Sequence, residues 1–364
     1  MLKRIFLCSI ILGIFVSCFE NTKIKKHDLH QKVFINNKEY TLKFAYAVKK
    51  QYEYARKIEN IKPKYLFTIG NGRDTLLCFP IRIIEKNNNI YVLDQGSYSV
   101  KVFTDSGKFI EKKGAYGKGP GEFLLPIDFD VSESGKIIVL DARLFRITIF
   151  DDSLTTILNF SEFLHGVRFS SESDFLILKV EQERGISFLQ KIDFKGNKLI
   201  DCQNIFEKHS FDIPPMNSSL QGEVFTSRNN IIFVPYFFNH FVVFFKNGKF
   251  KYCKEKVDKV EIPYITFKSL KGGAIFSDAK YLKKFQTTQT AFIKNHVLYN
   301  YTELRIGKKR DCLIDLYNLS NGNYLKSFKF KIKGSLIRTV FSKNRIFIIR
   351  PDGSIDVYRV NYGE

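Results

Sequence analysis

The chain has 364 residues, of which 15% are aromatic, with 37 Phe, 18 Tyr and no Trp, and its formal net charge is +21. Abundant Phe and β-branched residues are typical of a large β protein, in which they fill the space between packed sheets. The charge suggests an anionic partner such as a membrane surface, an acidic glycan or nucleic acid, unless it is a by-product of an AT-rich genome that favours Lys, Asn, Ile and Phe together. The lysines are scattered, which excludes a single basic stripe along one element.

Residues 1–17 have the layout of a secretory signal peptide. Lys3 and Arg4 precede an apolar run from Ile5 to Val16, which is too short to span a bilayer as a mature helix. The run ends in IFVSC, which resembles the lipobox of bacterial lipoproteins. This resemblance implies that Cys18 is acylated, becomes the first mature residue and attaches the protein to a membrane. Ordinary cleavage beside a chance cysteine is the alternative.

Residues 18–63 are predicted to form a lipidated tether followed by an accessory hairpin. The stretch FENTKIKKHDLHQK is too poor in apolar residues to pack, so it indicates a polar tether. The next stretch, KVFINNKEYTLKF, indicates a hairpin that turns at Asn36 and Asn37. No acidic run follows Cys18 of the kind that resembles a surface-export signal, which favours an outer-membrane anchor facing the periplasm.

Residues 64–364 contain a repeat of about fifty residues. Each unit shows apolar runs separated by tight Gly or Asn turns, which predicts four short antiparallel strands. The last unit ends early, and KYLFTIG from Lys64 supplies its fourth strand, because a ring closed in this way leaves no exposed sheet edge. The sequence therefore predicts an all-β, six-bladed β-propeller closed by an N-terminal strand. The second strands of the units begin at Ile90, Ile137, Phe175, Ile231, Val297 and Ile346.

The glycines of KGAYGKGPGEF, which starts at Lys113, resemble those of a phosphate-binding loop. Such a loop needs a helix directly after the glycines to hold the anion, and here Pro126 and a strand pattern follow instead. We therefore predict a turn between strands, in which Gly119 adopts a positive φ.

The stretches GKGPGEFLLP, IIVLD and RITIF are similar to the repeat of NHL-type six-bladed propellers, in particular those of bacterial lipoproteins. The resemblance covers most of the chain and is sharpest over residues 64–151. It implies the fold, which by itself does not fix a function.

Cys78, Cys202, Cys253 and Cys312 remain in the mature body of the protein. Two disulfides would allow three connectivities. Cys202 and Cys253 fall at equivalent places on the outer strands of neighbouring blades, too far apart to bond. We therefore expect free thiols.

Catalytic sequence motifs such as H-E-x-x-H and G-x-S-x-G do not occur, and no cofactor is expected. Asp94 and Asp141 end the second strands of the first two blades and are the candidate metal ligands, since propellers that hydrolyse lactones hold a metal with such groups in the central channel. The equivalent positions include Pro235 and Arg350, which makes a full ligand ring doubtful. Capping of the following turn is the other role open to these carboxylates.

One face of a propeller carries both the loops between second and third strands and the connections between blades. Two of these connections, residues 203–222 and 258–285, are long insertions, and long loops on a rigid scaffold tend to carry function. The loops supply aromatic and basic side chains, which are the enriched anchors of binding surfaces. The candidate binding residues are Tyr98, Arg143, Phe145, Arg184, Tyr236, Phe237, Lys308, Lys309 and Arg350.

The sequence thus favours a monomeric, lipid-anchored protein of the bacterial cell envelope that binds a protein, a peptide or a glycan through this face, without catalysis. The alternative is a metal-dependent, lactonase-like hydrolase that uses the central channel. Nucleic-acid binding fits the charge but conflicts with the signal sequence.

Overall fold

The computed structural model describes residues 30–35, 38–43, 45–51, 55–70, 76–151, 155–179, 189–205, 222–227, 229–236, 239–257, 265–269, 275–277, 288–306, 309–342 and 344–362. Strands dominate this part of the chain, and a short 3-10 helix spans Gln95–Ser97. Within the described ranges no helix is long and apolar enough to cross a membrane.

The strands form the six predicted blades, each an antiparallel sheet that begins with its innermost strand. Strands are numbered in chain order. The first blade contains β6 (Pro80–Lys86), β7 (Asn89–Asp94), β8 (Ser99–Thr104) and β9 (Phe109–Lys113), and the second contains β12 (Pro126–Val131), β13 (Ile137–Asp141), β14 (Arg146–Phe150) and β15 (Thr155–Asn159). The third blade contains β16 (Leu164–Phe169), β17 (Asp174–Lys179), β18 (Leu189–Asp193) and β19 (Lys198–Asp201), and the fourth contains β20 (Gly222–Thr226), β21 (Asn230–Pro235), β22 (His240–Phe245) and β23 (Phe250–Glu255). The fifth blade contains β26 (Thr290–Lys294), β27 (Val297–Ile306), β28 (Lys309–Asn318) and β29 (Tyr324–Phe330).

The sixth blade is closed by the N-terminal strand, as predicted. It consists of β30 (Arg338–Phe341), β31 (Arg345–Ile349), β32 (Ile355–Arg359) and β5 (Lys64–Ile69). Strand β5 pairs antiparallel with β32, with Ile69 opposite Ile355 and Lys64 opposite Arg359. The six-bladed, all-β fold is thereby confirmed.

Apolar side chains fill the space between neighbouring blades. Ile138 and Ile147 of the second blade pack with Val167 and Phe175 of the third, and all four are almost completely buried. The second strand of a blade faces a neighbour on both sides, so it is mostly apolar on both faces instead of alternating. This explains why IYVLD, IIVLD and their counterparts were the clearest signals in the sequence.

The accessory hairpin is also confirmed. Strands β1 (His30–Ile35) and β2 (Lys38–Lys43) pair antiparallel with Ile35 opposite Lys38, which leaves two residues for the turn. Strand β1 pairs in parallel with β24 (Ile265–Ser269), which pairs with β25 (Ile275–Ser277). The insertion of residues 258–285, interpreted from the sequence as a loop, therefore contains two strands.

The chain between the hairpin and β5 adds short parallel strands to two blades, which the sequence analysis did not foresee. Strand β3 (Val48–Lys49) lies beside β23, and β4 (Ile58–Asn60) lies beside β29. Between them, buried Gln51 donates from Nε2 to the carbonyl oxygens of Glu255 at 2.6 Å and Gly322 at 2.9 Å. Strand β3, Gln51 and strand β4 therefore attach this part of the chain to the fourth and fifth blades through hydrogen bonds.

An ion pair strengthens this attachment. The Arg56 guanidinium donates from Nε to Oδ1 and from a terminal nitrogen to Oδ2 of Asp315, each at 3.0 Å, and Asp315 is fully buried. Such a bidentate pair fixes the orientation of both groups.

The glycine-rich stretch is a turn, as predicted. Two-residue strands β10 (Ala115–Tyr116) and β11 (Glu122–Phe123) flank it, and the Gly119 N–H donates to Oε2 of Glu122 at 2.7 Å. Strand β12 follows, so no helix N-terminus lies there to hold a phosphate.

The prediction of a positive φ at Gly119 is wrong. The glycines of this turn with positive φ are Gly117, at 150°, and Gly121, at 75°. The Glu122 carboxylate and the Arg146 guanidinium, which donates to the carbonyl oxygens of Lys118, Gly119 and Glu122, close the turn around an ordinary backbone at Gly119.

All four body cysteines are thiols outside any disulfide, as expected, and Cys202, Cys253 and Cys312 are buried. Burial raises the pKa of the Cys202 thiol to about 12, so this sulfur is protonated at neutral pH and chemically inert.

Candidate functional site

Five charged side chains from the innermost strands meet in the central channel: Arg82, Asp128, Arg168, Glu223 and Arg338. We call this cluster the charged waist. A terminal nitrogen of Arg82 lies 2.8 Å from Oε2 of Glu223. These two residues belong to the first and fourth blades, which are opposite in a ring of six, so their ion pair spans the channel.

The remaining ion pairs of the waist form a closed circuit. Arg82 Nε lies 3.0 Å from Oδ1 of Asp128. Terminal nitrogens of Arg168 lie 2.6 Å from Oδ2 of Asp128 and 2.9 Å from Oε2 of Glu223. Two cations and two anions are thus mutually neutralised in the middle of the channel.

The waist is ionised despite its burial. Loss of water opposes ionisation of Glu223, but Arg82 and Arg168 beside it outweigh this effect and hold its pKa well below the ordinary range. Burial likewise opposes the charge on Arg82, and Asp128 and Glu223 outweigh it, which raises the pKa of Arg82. Removal of one partner would therefore leave a buried unpaired charge, which is strongly destabilising.

The same side chains also cover the polar edges of the innermost strands. Oδ2 of Asp128 in the second blade accepts the Val167 N–H of the third blade at 2.9 Å. Arg338 of the sixth blade donates to the Ile81 carbonyl oxygen of the first blade at 2.8 Å. Each contact reaches the next blade and provides a hydrogen-bond partner for a backbone group on the channel side of an innermost strand, where no neighbouring strand is available.

The waist lies between two cavities. On the face that carries the blade connections, which we call the loop face, a cavity of about 480 Å³ is lined by waist residues together with Ile127, Phe163, His165, Gly222 and Tyr236. We call it the throat pocket. A cavity of about 670 Å³ lies on the opposite side, and Arg82, Arg168 and Arg338 line both.

Two side chains of the throat pocket have polar atoms held away from bulk water. The Tyr236 hydroxyl donates to Oε1 of Glu223 at 2.8 Å, and burial raises its pKa. The His165 ring lies edge-on to Phe163 at 5.0 Å, and its buried Nε2 has no hydrogen-bond partner among the described residues. Burial lowers the pKa of His165 to about 4, so the imidazole is neutral at neutral pH.

An arc of exposed apolar side chains surrounds the channel mouth on the loop face. In four blades the residue directly before the innermost strand is large, apolar and exposed: Phe79 by 48%, Leu125 by 39%, Phe163 by 37% and Ile337 by 52%. These are the first, second, third and sixth blades, which are consecutive around the closed ring. We call these four side chains the apolar rim.

Asp94 and Asp141, the candidate metal ligands, hold the backbone of this rim. Oδ1 of Asp94 accepts the Phe79 N–H at 2.6 Å, and Oδ2 of Asp141 accepts the Leu125 N–H at 3.0 Å. Oδ1 of Asp141 also accepts the N–H groups of Arg143 and Leu144, so Asp141 caps the following turn as predicted. Asp94 precedes a 3-10 helix but makes no side-chain cap hydrogen bond to it, so the prediction is wrong there.

The remaining donors to Asp94 are internal too. Lys101 Nζ lies 2.6 Å from its Oδ2, which also accepts the Cys78 N–H and the Ser97 hydroxyl. Both carboxylates are completely buried and engaged by protein donors. Among the described residues no three His, Cys, Asp or Glu side chains are grouped so as to hold a metal ion.

The other predicted face residues have different surroundings. Tyr98 is half-buried, with its ring edge-on to Tyr116 at 4.9 Å, whereas Arg143 and Phe145 are exposed. The Arg350 guanidinium already has partners within the protein. It pairs with Asp356 at 2.7 Å and donates to carbonyl oxygens of the chain that leads to Ile337. Among the described residues of the predicted binding face, only Tyr236 lines the throat pocket.

Arg184, Phe237 and Lys308 lie outside the described residues, as do the signal peptide and Cys18. Lys309, predicted to lie in the loop between the second and third strands of the fifth blade, is instead the first residue of β28, opposite Ile306.

The waist and the rim were missed from the sequence, although both left a signal. Arg82 and Asp128 are each the third residue of an innermost strand that is otherwise mostly apolar. Phe79 and Leu125 each precede the proline that begins such a strand. Comparison of the repeats at these two positions would have revealed the pattern.

Fold and site together define a six-bladed β-propeller whose channel is crossed by ion pairs and whose loop face carries an arc of exposed apolar side chains. The chain belongs to the DUF5128 family, described as a 6-bladed beta-propeller, whose profile matches residues 71–253, half of the chain.

Solved structures agree on the fold. The chain is similar to a protein of Bacteroides fragilis named as an exported protein, at 12% identity with a TM-score of 0.57, covering 86% of this chain and 99% of that one. It is also similar to a DUF4221 member from Bacteroides vulgatus, at 9% identity with a TM-score of 0.56, covering 83% and 98%. No curated protein sequence matches this chain at a significant level.

Proposed function

We propose that this protein is exported, anchored by lipid at Cys18 to the outer membrane facing the periplasm, and binds a peptide segment of an envelope partner through its loop face, without catalysis. The observation that carries the proposal is the apolar rim, because four large apolar side chains stay exposed around one channel mouth. A soluble protein gains nothing from such an arc unless another molecule covers it.

The rim favours a protein or peptide partner over a glycan. Exposed Phe, Leu and Ile side chains match apolar side chains of an extended segment, and Phe145 and Tyr116 add apolar area on the same face. The hydrolase alternative is less favoured, because Asp94 and Asp141 already accept hydrogen bonds from backbone and Lys donors.

Export and anchoring are supported by the signal layout and by the cysteine that follows it. Cys18→Ala, expressed in the native host and labelled with a fatty-acid analogue, is expected to lose the label and to leave the membrane fraction. Retention of the variant in membranes would contradict the proposed anchor.

The binding proposal is tested by selecting displayed random peptides on the mature protein and measuring their affinities by fluorescence polarisation. A rim variant, Phe163→Ser with Ile337→Ser, is expected to bind the selected peptides at least tenfold more weakly, because buried aromatic and aliphatic contacts at an interface are worth about 1–3 kcal/mol each.

The matched control is Leu199→Ser with Phe245→Ser, which removes two similarly exposed side chains from strands away from the rim. This control is expected to bind like the wild type. Selected peptides that bind the rim variant and the wild type equally, with both proteins folded, would refute the proposed face.

A further inference from the structure

We infer that the throat pocket is a binding site for a carboxylate, with Arg338 as its cation and with Phe163 and Ile127 flanking the body of the ligand. The identity of the carboxylate as part of a peptide rests on the proposed function, whereas the chemistry of the pocket does not.

Arg338 differs from the other two arginines of the waist, because it makes no ion pair with a carboxylate of the described residues. Arg82 and Arg168 are matched by Asp128 and Glu223 through the ion pairs described above. Arg338 donates to the neutral Ile81 carbonyl oxygen, and no carboxylate of the described residues pairs with it. A guanidinium has five N–H donors, so most of those on Arg338 remain for a ligand.

Glu223 is too heavily used to neutralise Arg338. Its Oε1 accepts from Arg82 and from the Tyr236 hydroxyl, and its Oε2 accepts from Arg82 and Arg168. Each oxygen therefore already has two donors, which fills its lone pairs. Arg338 lies close enough for its charge to contribute to the lowered pKa of Glu223, so its guanidinium is located at the waist.

A planar monoanion fits this environment better than a phosphate. The guanidinium fork matches a carboxylate with two parallel hydrogen bonds. A dianion would bring its second charge next to Asp128, which also lines the pocket and is already paired. A singly charged carboxylate avoids this repulsion.

The pocket also has the size and the walls for a small organic group. Its volume of about 480 Å³ falls in the range of roughly 300–1,000 Å³ that is usual for small-ligand sites. Phe163 belongs both to the pocket wall and to the apolar rim, so a ligand with its carboxylate at Arg338 would emerge over the rim. The neutral His165 adds a nitrogen that can accept or donate one further hydrogen bond.

The test uses two probes of the same shape, 3-(4-fluorophenyl)propionate and its neutral amide, followed by ¹⁹F NMR on the mature protein. The acid is expected to bind saturably with a Kd of about 1 mM or below, and the amide at least tenfold more weakly. Arg338→Gln is expected to weaken binding of the acid at least tenfold. Arg359→Gln, which removes an exposed arginine of β32 that does not line the pocket, is expected to leave it unchanged.

Arg338→Lys keeps the charge and provides a second variant if Arg338→Gln does not fold; it is expected to retain weaker binding of the acid. Equal binding of acid and amide, or full binding by folded Arg338→Gln, would overturn the inference. Stronger competition by inorganic phosphate than by acetate would also overturn it.

The source of the carboxylate is distinguished with the selected peptides. Loss of affinity on amidation of the C-terminus identifies the terminal carboxylate, whereas loss on Asp→Asn or Glu→Gln exchange identifies a side chain. If the acid binds but no peptide uses the rim, the pocket inference holds and the proposed function fails. If peptides bind the rim but the acid does not bind the throat pocket, the proposed function holds and the pocket inference fails.

Discussion

Asp141→Asn separates a structural carboxylate from a metal ligand. Each oxygen of Asp141 accepts two backbone N–H groups: Oδ2 from Leu124 at 2.7 Å and Leu125 at 3.0 Å, and Oδ1 from Arg143 at 2.9 Å and Leu144 at 2.8 Å. Asn retains one acceptor oxygen and turns an NH₂ group towards the other pair. Two hydrogen bonds to a charged, buried acceptor are therefore lost, each worth about 1.5–3 kcal/mol.

The expected loss is about 3–6 kcal/mol in the free energy of unfolding, a large part of the roughly 5–15 kcal/mol that stabilises a typical protein. Urea unfolding followed by far-UV circular dichroism measures it, since the chain has no Trp to report by fluorescence. The control is Asp352→Asn, an exposed carboxylate that accepts two hydrogen bonds from Ser354 and is expected to cost about 0.5 kcal/mol. A loss below about 1 kcal/mol for Asp141→Asn, or stabilisation of the wild type but not the variant by Ca²⁺, would refute the structural role.

Three further outcomes follow from the fold. Gly121→Ala should cost about 1 kcal/mol or more in urea unfolding because φ is 75° there, whereas Gly119→Ala, at ordinary φ, should cost less; the reverse order would contradict the turn geometry. Deletion of residues 19–43 should leave a cooperative thermal melt. Deletion through residue 63 should lower the midpoint of the melt because Gln51 and the Arg56–Asp315 pair are lost, and deletion through Ile69 should abolish the cooperative melt. A cooperative melt after the longest deletion would contradict closure of the ring by β5. Burial lowers the pKa of His165 from 6.5 to about 4, so the folded protein binds this proton less readily, and His165 alone should lower the free energy of unfolding by about 3 kcal/mol as pH falls from about 6.5 to about 4. His165→Gln should remove this contribution and leave the separate one of His240, whose pKa burial lowers to about 3.

The fold could be predicted because its strongest determinants are local. The second strands are mostly apolar on both faces, so each unit was visible without knowledge of its neighbours. Closure followed from counting strands: the last unit lacked one, and β5 was the apolar run directly before the first unit. The fifth strands could not be found in this way, because β3 and β4 contain two and three residues and their sequences, VK and IEN, carry no periodic pattern.

The site was less predictable because its members are far apart in the chain. Arg82 and Glu223 are separated by 141 residues and meet only when the ring closes. Tyr236 was correctly placed on the loop face by its position after a second strand, but its bond to Glu223 depends on that same closure. Arg350 was placed on the same face, yet its donors are used within its own blade, which sequence position alone does not reveal.

One position holds the backbone of the rim in each of its four blades. The residue that ends or directly follows the second strand holds the connection that leads to the rim, by a different chemistry in each case. Asp94 and Asp141 accept backbone N–H groups, Lys179 pairs with Glu162 directly before Phe163, and Arg350 donates to the carbonyl oxygens of Lys333 and Ser335 before Ile337. In the fourth blade this position is Pro235, which has no polar side chain, and the innermost strand is preceded by the long insertion. A polar side chain at that position can fix a short connection against the strand end and thereby keep the apolar residue at its tip exposed despite the cost of its hydration. The variety of the four anchors is why no motif marked them, and their common location is the reason to regard the rim as one surface.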